Sequence, residues 1–350
     1  MLESKAKLIE MQGNRARLND KMSSDNNKKK KLTKDEILNE KKKSKIKLND
    51  AIKNFQKAIG CYKLLPVNAR SQRGICRAQE GLCNVRRKLF DASNANEVTE
   101  LLNDYDIVIQ LCKNIGDQAL EATQHKNKGV VLKERAKYCK DNRDEYNKIL
   151  NTALISYQKA SEVQGRLGEI EERVKSLRGI AGVQNMLNHL DEAIIACEES
   201  IVLARACGYK AGETRAQVVQ CDIFLSMVEK NANQDYNSIT TDLQKLIRTR
   251  SIGENLLDNE QRKKKVKSGD VARAMFIVAR IYMAIIHFME EDDEKDGEQE
   301  DRLLLSKDIT MERIIKLLKE SKNMFVSGND TNWIKQIKRY TDEHNIELPE

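Results

Sequence analysis

The sequence predicts an all-α protein built from antiparallel helix hairpins, and three observations predict it. Only two of the 350 residues are proline, Pro66 and Pro349, so almost nothing interrupts a helix by removing its amide donor. Aromatic residues make up 5% of the chain, while Lys, Glu, Leu, Ala and Asn are plentiful. That composition suits helices and disfavours sandwiches and barrels. The third observation is a pattern of small residues that recurs along the chain at helical spacing.

The pattern has two parts. An apolar-Gly pair stands at Ile115-Gly116, Leu167-Gly168 and Cys207-Gly208, and a small residue follows each glycine by 13 positions, at Gly129, Ala181 and Cys221. Twelve residues beyond Ala181, the set Ala193, Cys197 and Ser200 falls at i, i+4 and i+7, which is one face of a helix. Ala153, Tyr157 and Ala160 show the same set 40 residues earlier, and Ala51, Phe55 and Ala58 show it near the start. Small residues on facing helices let the axes approach to about 8–10 Å. The large residue between two small ones then fills the groove to the neighbouring hairpin. Each glycine supplies the left-handed C-cap that ends a helix, and acidic residues open the next one, as at Gly116-Asp117 and Gly212-Glu213.

Taken in order, residues 2–20 form an amphipathic helix carrying Leu2, Leu8, Ile9, Met11 and Leu18, for docking either on a partner or on the body. Residues 21–44 read as a flexible basic linker, so 1–44 is a basic N-terminal region. Repeats fill 45–291. Helices pair as 45–64 with 67–90, 96–115 with 117–138, 145–166 with 169–187, and 190–207 with 211–230. A degenerate helix over 236–256 and a basic loop from Gln261 to Ser268 follow. The apolar stretch 271–289 is a core helix, because Arg273, Arg280 and His287 would be costly within a membrane span. Residues 292–301 are an acidic loop, and nine carboxylates lie from Glu290 to Asp301. Helices over 302–325 and 330–345, within 302–350, cap the last apolar face of the array.

These residues resemble the tetratricopeptide repeat, whose pattern is a small residue followed at fixed spacing by Ala-x-x-x-aromatic-x-x-Ala. The period of about 40 resembles the longer-repeat subgroup of kinesin light chains and Pins-type spindle adaptors. The match covers residues 110–225 and, more weakly, 48–291. Several features depart from the family pattern. The signature Trp, Leu and Tyr of the first helix are mostly missing. Gly129 and Ala153 lie 24 residues apart instead of 12, which marks 138–150 as an insertion. The expected small residue after Cys221 falls at Asn233. The resemblance implies a TPR-like right-handed α-solenoid with a C-terminal helical cap, in which the first helix of each hairpin lines a concave face.

Charge and motifs narrow the function. The net charge is +8. Residues 1–47 hold 15 Lys+Arg against 7 Asp+Glu, so the remainder of the chain is neutral and the basic excess belongs to the N-terminal arm. No phosphate-binding Gly loop, dinucleotide fingerprint, nucleophile elbow or HExxH is present. The four histidines, at 125, 189, 287 and 344, lie far apart in sequence. No enzyme activity, cofactor or metal is therefore expected. The eight cysteines contain no CxxC, and the charged N-terminus is not a secretory signal, so they read as reduced, buried thiols. Cys76 and Cys83, seven apart on one helix face, read as core packing.

The family register points Lys175, Arg178, Gly182 and Asn185 inward, with Lys126 and Lys133 before them and Arg215 after. Arg273, Arg280 and His287 add a basic stripe every seven residues. Such a groove suits carboxylates, so the expected partner is a protein offering an acidic extended or helical segment. The competing reading is ordinary surface charge paired with nearby Asp and Glu. Two Lys runs, Lys28, Lys29, Lys30 and Lys31, then Lys41, Lys42 and Lys43, form the basic arm. With Arg262–Lys265 they resemble nuclear import signals. The primary expectation is a non-enzymatic intracellular adaptor or scaffold subunit, cytoplasmic or cytoskeletal. The alternative is a nucleic-acid- or chromatin-associated subunit using the arm, with nuclear entry, although no aromatics for base stacking interleave the lysines. Membrane binding is not expected, because the tail lacks bulky aromatic anchors.

Overall fold

The computed structural model of the chain describes residues 6–7, 9–12, 14, 34–231, 250–252, 254, 268–291, 309–327 and 331–348. Among the described residues every regular element is an α-helix and none is a strand. The helices are α1 (Lys34–Lys63), α2 (Ala69–Leu89), α3 (Ala95–Ile115), α4 (Gln118–Ala136), α5 (Arg143–Arg166), α6 (Ile170–Met186), α7 (Leu190–Ala206), α8 (Lys210–Asn231), α9 (Ser268–Glu291), α10 (Met311–Ser327) and α11 (Thr331–Glu343). They divide between two compact units, Met1–Gly179 and Ile180–Glu350.

In the first unit each helix from α1 to α5 packs on its neighbour in the chain. Side-chain caps set the starts. Asn68 accepts from the Arg70 and Ser71 amides at 2.9 Å, and Ser71 returns the bond in a capping box. Asn94, Asp117 and Asn142 cap α3, α4 and α5 in the same way. The seam glycines lie where the spacing places them. Gly116 and Gly168 take φ of 74° and 71°, which only glycine adopts at little cost. At each seam the next amide closes a six-residue loop onto the helix behind, Asp117 to the Cys112 carbonyl and Glu169 to the Gln164 carbonyl, both at 2.9 Å.

The small–large–small sets are the packing units. Tyr157 of α5 is 2% exposed and lies against two bare glycines. A Cβ on Gly129 of α4 would sit 2.9 Å from its ring, and one on Gly179 of α6 only 2.4 Å from it. Phe55 of α1 meets Gly81 of α2 in the same manner, at 2.4 Å. The wedge therefore does between neighbours what the spacing predicts. The structure adds a set that the sequence reading lacks. Leu101, Tyr105 and Val108 of α3 repeat the i, i+4, i+7 face and are 1% exposed or less. The four sets thus begin at residues 51, 101, 153 and 193, so the interval is near 50 in the first unit and 40 only at the last step.

Several boundaries are corrected. Residues 34–44, expected as linker, belong to α1, because Lys-rich sequence without Gly or Pro has good helix propensity. Of the N-terminal helix, the described residues are helical and dock on the body: Ala6 is fully buried against α1 and α2, with Ile9 beside it. The Tyr62 hydroxyl donates to Glu10 at 2.9 Å. The insertion after Gly129 is a short loop plus the first turns of a long α5, so most of 138–150 extends a helix. Glu213 stands in the first turn of α8, as expected of an acid that opens a helix, and Gly208 is the seam before it.

The second unit has two more seams, Gly208 (φ 69°) and Asn188 (φ 64°), the latter made without a glycine. Ala193, Cys197 and Ser200 are buried, and the Cys197 thiol donates to the Ala216 carbonyl at 3.1 Å. Helices α8 to α11 share one core, centred on Phe276, Ile281, Tyr282, Ile314 and Phe325. Helix α9 is buried along residues 276–283 except at Arg280, and the Ser321 hydroxyl of α10 donates to its Ala272 carbonyl at 2.8 Å. This is the core helix expected at 271–289. No described helix is long and apolar enough to cross a membrane. The helices expected over 302–325 and 330–345 are observed as α10 and α11, shorter than expected. The expected helix 236–256 lies outside the described residues save 250–252 and 254, which are helical. The basic loop 261–267 and the acidic loop 292–301 also lie outside them.

Candidate partner-binding site

Lys126 and Lys175, placed by the repeat register on alternate helices, meet in the first unit. Both reach Glu172 of α6. The Lys126 ammonium pairs with one carboxylate oxygen and Lys175 donates to the other at 2.5 Å. Burial pushes the Glu172 carboxyl up, but the two lysine hydrogen bonds outweigh it and hold the group below the ordinary glutamate range. Two cations against one carboxylate leave a net charge of +1, and all three side chains are partly exposed, at 15%, 29% and 32% for Lys126, Lys175 and Glu172.

Arg178 lies one turn beyond Lys175, half-buried. Burial pushes the Tyr157 phenol up, while the charges of Arg178 and Arg87 pull it down. Lys133 lies two turns beyond Lys126 on α4 and is half-buried. The four expected cations of this unit, Lys126, Lys133, Lys175 and Arg178, stand on α4 and α6, and two of them, Lys126 and Lys175, share the Glu172 carboxylate. Glu172 stands in the first turn of α6, where acids favour the helix dipole, and that bland explanation hid its second use.

In the second unit, Asn185 is half-buried on α6 and its Oδ1 has no hydrogen-bond partner. Arg215 is half-buried on α8. Arg280 of α9 donates to Asp222 of α8 at 2.5 Å, with side chains 25% and 31% exposed. Arg273, two turns before Arg280 on α9, is half-buried. The side chain of His287 lies outside the described residues. Of the basic arm, Lys28 to Lys31 lie outside them too, whereas Lys41, Lys42 and Lys43 stand on α1, the last two exposed.

Two other charged groups belong to the frame. Asp104 of α3 accepts from Arg86 at 2.5 Å and from Gln79 at 3.0 Å, both on α2. Burial pushes its carboxyl up and Arg86 only partly restores it. His125 of α4 is lowered to about 4, by burial first and then by Lys159, Lys113 and Lys128. It is neutral near pH 7, so its 3.7 Å approach to Glu121 is not an ion pair there. Among the described residues no cluster of three or more His, Cys, Asp or Glu could hold a metal ion.

The sequence matches no family model and no curated protein. Among solved structures, "Crystal structure of BtubC (BKLC) from P. vanneervenii" is similar over 77% of this chain and 90% of that chain, with 12% identity and a TM-score of 0.45. At that score the likeness assigns neither fold nor function to this chain.

Proposed function

We propose that the chain is a non-enzymatic adaptor of the tetratricopeptide kind, a right-handed α-solenoid whose first helices hold an acidic segment of a protein partner. The observation that carries this reading is the juxtaposition of Lys126 and Lys175 across alternate helices, with Arg178 one turn on. The Tyr157 wedge supports it, because a ring seated on Gly129 and Gly179 fixes the spacing of α4 and α6. Side chains held on packed helices lose little entropy when a partner arrives. Glu172 fills the place a partner's carboxylate would take, so binding exchanges one carboxylate for another and remains sensitive to salt.

The test is titration of a fluorescent oligoglutamate peptide into the full chain and into Lys175→Glu/Arg178→Glu at the same ionic strength. Charge reversal lowers affinity at least tenfold. Equal affinity, with unchanged helical content, ends the proposal. Lysines along α1 favour the second reading, a nucleic-acid-associated subunit: Lys42, Lys43, Lys45 and Lys47 are all exposed. Replacing Lys28–Lys31 and Lys41–Lys43 with Gln tests it without cutting into α1, and only that reading expects loss of DNA or RNA binding.

A further inference from the structure

Eight cysteines are free thiols, and two of them face each other. Cys76 of α2 and Cys112 of α3 are 36 positions apart, and their sulfurs stand 3.6 Å from one another. Both are buried. Cys76 also forms part of the wall of an open cleft of about 490 Å³, between Arg73 and Arg77 on one side and the Gly116–Leu120 turn on the other. Cys112 does not line it. Its carbonyl instead accepts the Asp117 amide at the seam below.

We propose that Cys76 and Cys112 are a modification site, a dithiol that peroxide converts into a reversible disulfide stapling α2 to the end of α3. The geometry divides the roles. The Cys76 thiolate attacks a peroxide oxygen entering through the cleft. The O–O bond breaks, Cys76 becomes a sulfenic acid, and hydroxide leaves. Cys112 then attacks the Cys76 sulfur, the S–O bond breaks, and water leaves. Two thiols are oxidised and one peroxide is reduced to two waters. Closing from 3.6 Å to a bond of about 2.05 Å takes small side-chain rotations. The protonation states agree with the division. The hydrogen bond with Cys112 pulls the Cys76 thiol below the ordinary range, against burial and with help from Arg77. The same bond, with burial, pushes Cys112 up. The thiol that lines the cleft is thus the one a peroxide meets.

The test uses the full chain treated with hydrogen peroxide, alkylated in denaturant and digested with trypsin without reductant. The expected product joins peptide Gly74–Arg77 to Leu89–Lys113, with two hydrogens lost, and disappears on adding dithiothreitol. Thermal melting rises by roughly 5–10 °C in the oxidised form. In Cys112→Ser, dimedone traps Cys76 as its sulfenic acid; in Cys76→Ser, Cys112 stays an unmodified thiol. Exposed Cys207 serves as the internal measure of unassisted oxidation. The proposal is overturned if Cys76 and Cys112 remain alkylatable when Cys207 is oxidised, if either pairs with a different cysteine, or if Cys112 alone is trapped.

Discussion

Replacing Gly179 with Ala reverses sign according to what occupies position 157. In the native chain the added methyl lands 2.4 Å from the Tyr157 ring, which is 2% exposed and is held on its other side by Gly129. The ring has nowhere to swing, so the upper end of the overpacking range applies, about 3 kcal/mol. Alanine in a helix interior returns about 1 kcal/mol relative to glycine, leaving a net loss of about 2 kcal/mol. Tyr157→Ala alone costs about 3–5 kcal/mol through the cavity it leaves. In that background the methyl meets open space, and Gly179→Ala gains about 1 kcal/mol. The coupling between the sites is therefore about 3 kcal/mol. Urea denaturation of the full chain, followed by far-UV circular dichroism for all four variants, measures it. Additivity within about 0.5 kcal/mol would refute the wedge, since residues that do not touch add.

Further outcomes follow from the same contacts. His125 has a folded value of about 4 against an ordinary 6.5, so the unfolded chain takes up its proton first. Stability is full above pH 6.5 and falls by about 3 kcal/mol down to pH 4 on this account; His125→Gln should flatten that limb of a denaturation series, and an unaltered slope would contradict the assignment. Glu172→Gln frees two lysines of their carboxylate, so oligoglutamate should bind several-fold more tightly in a fluorescence titration; weaker binding would place the acid elsewhere. Asn68→Ala removes both amide bonds of the α2 cap and should cost about 1 kcal/mol in chemical denaturation, with a loss under 0.3 kcal/mol speaking against the capping box.

The helices were legible because their signals are local. Gly116, Gly168 and Gly208 stop helices by backbone chemistry alone, and Ala153-Tyr157-Ala160 shows its packing face through spacing. Asn188 was missed because asparagine is a second choice for the left-handed cap and carries no signal unless the seam is already known. Leu101-Tyr105-Val108 was missed because its flanking residues are large; only the burial of all three reveals the face. Residues 34–44 carry the charge of a linker, yet helix formation continues from α1 wherever no Gly or Pro stops it. The candidate site was legible as cations at register positions. Its carboxylate was not, because the bond from Lys126 to Glu172 spans 46 residues and depends on α4 and α6 lying side by side.

Zero-length cross-linking with a carbodiimide tests the central claim most directly, because it joins a bound peptide's carboxylates only to lysines that touch them. With an oligoglutamate peptide and the intact chain, mass-spectrometric mapping should find the adducts on Lys126 and Lys175. Adducts confined to Lys28–Lys31 and Lys41–Lys43, with both groove lysines unmodified, would contradict the account and hand the function to the basic arm.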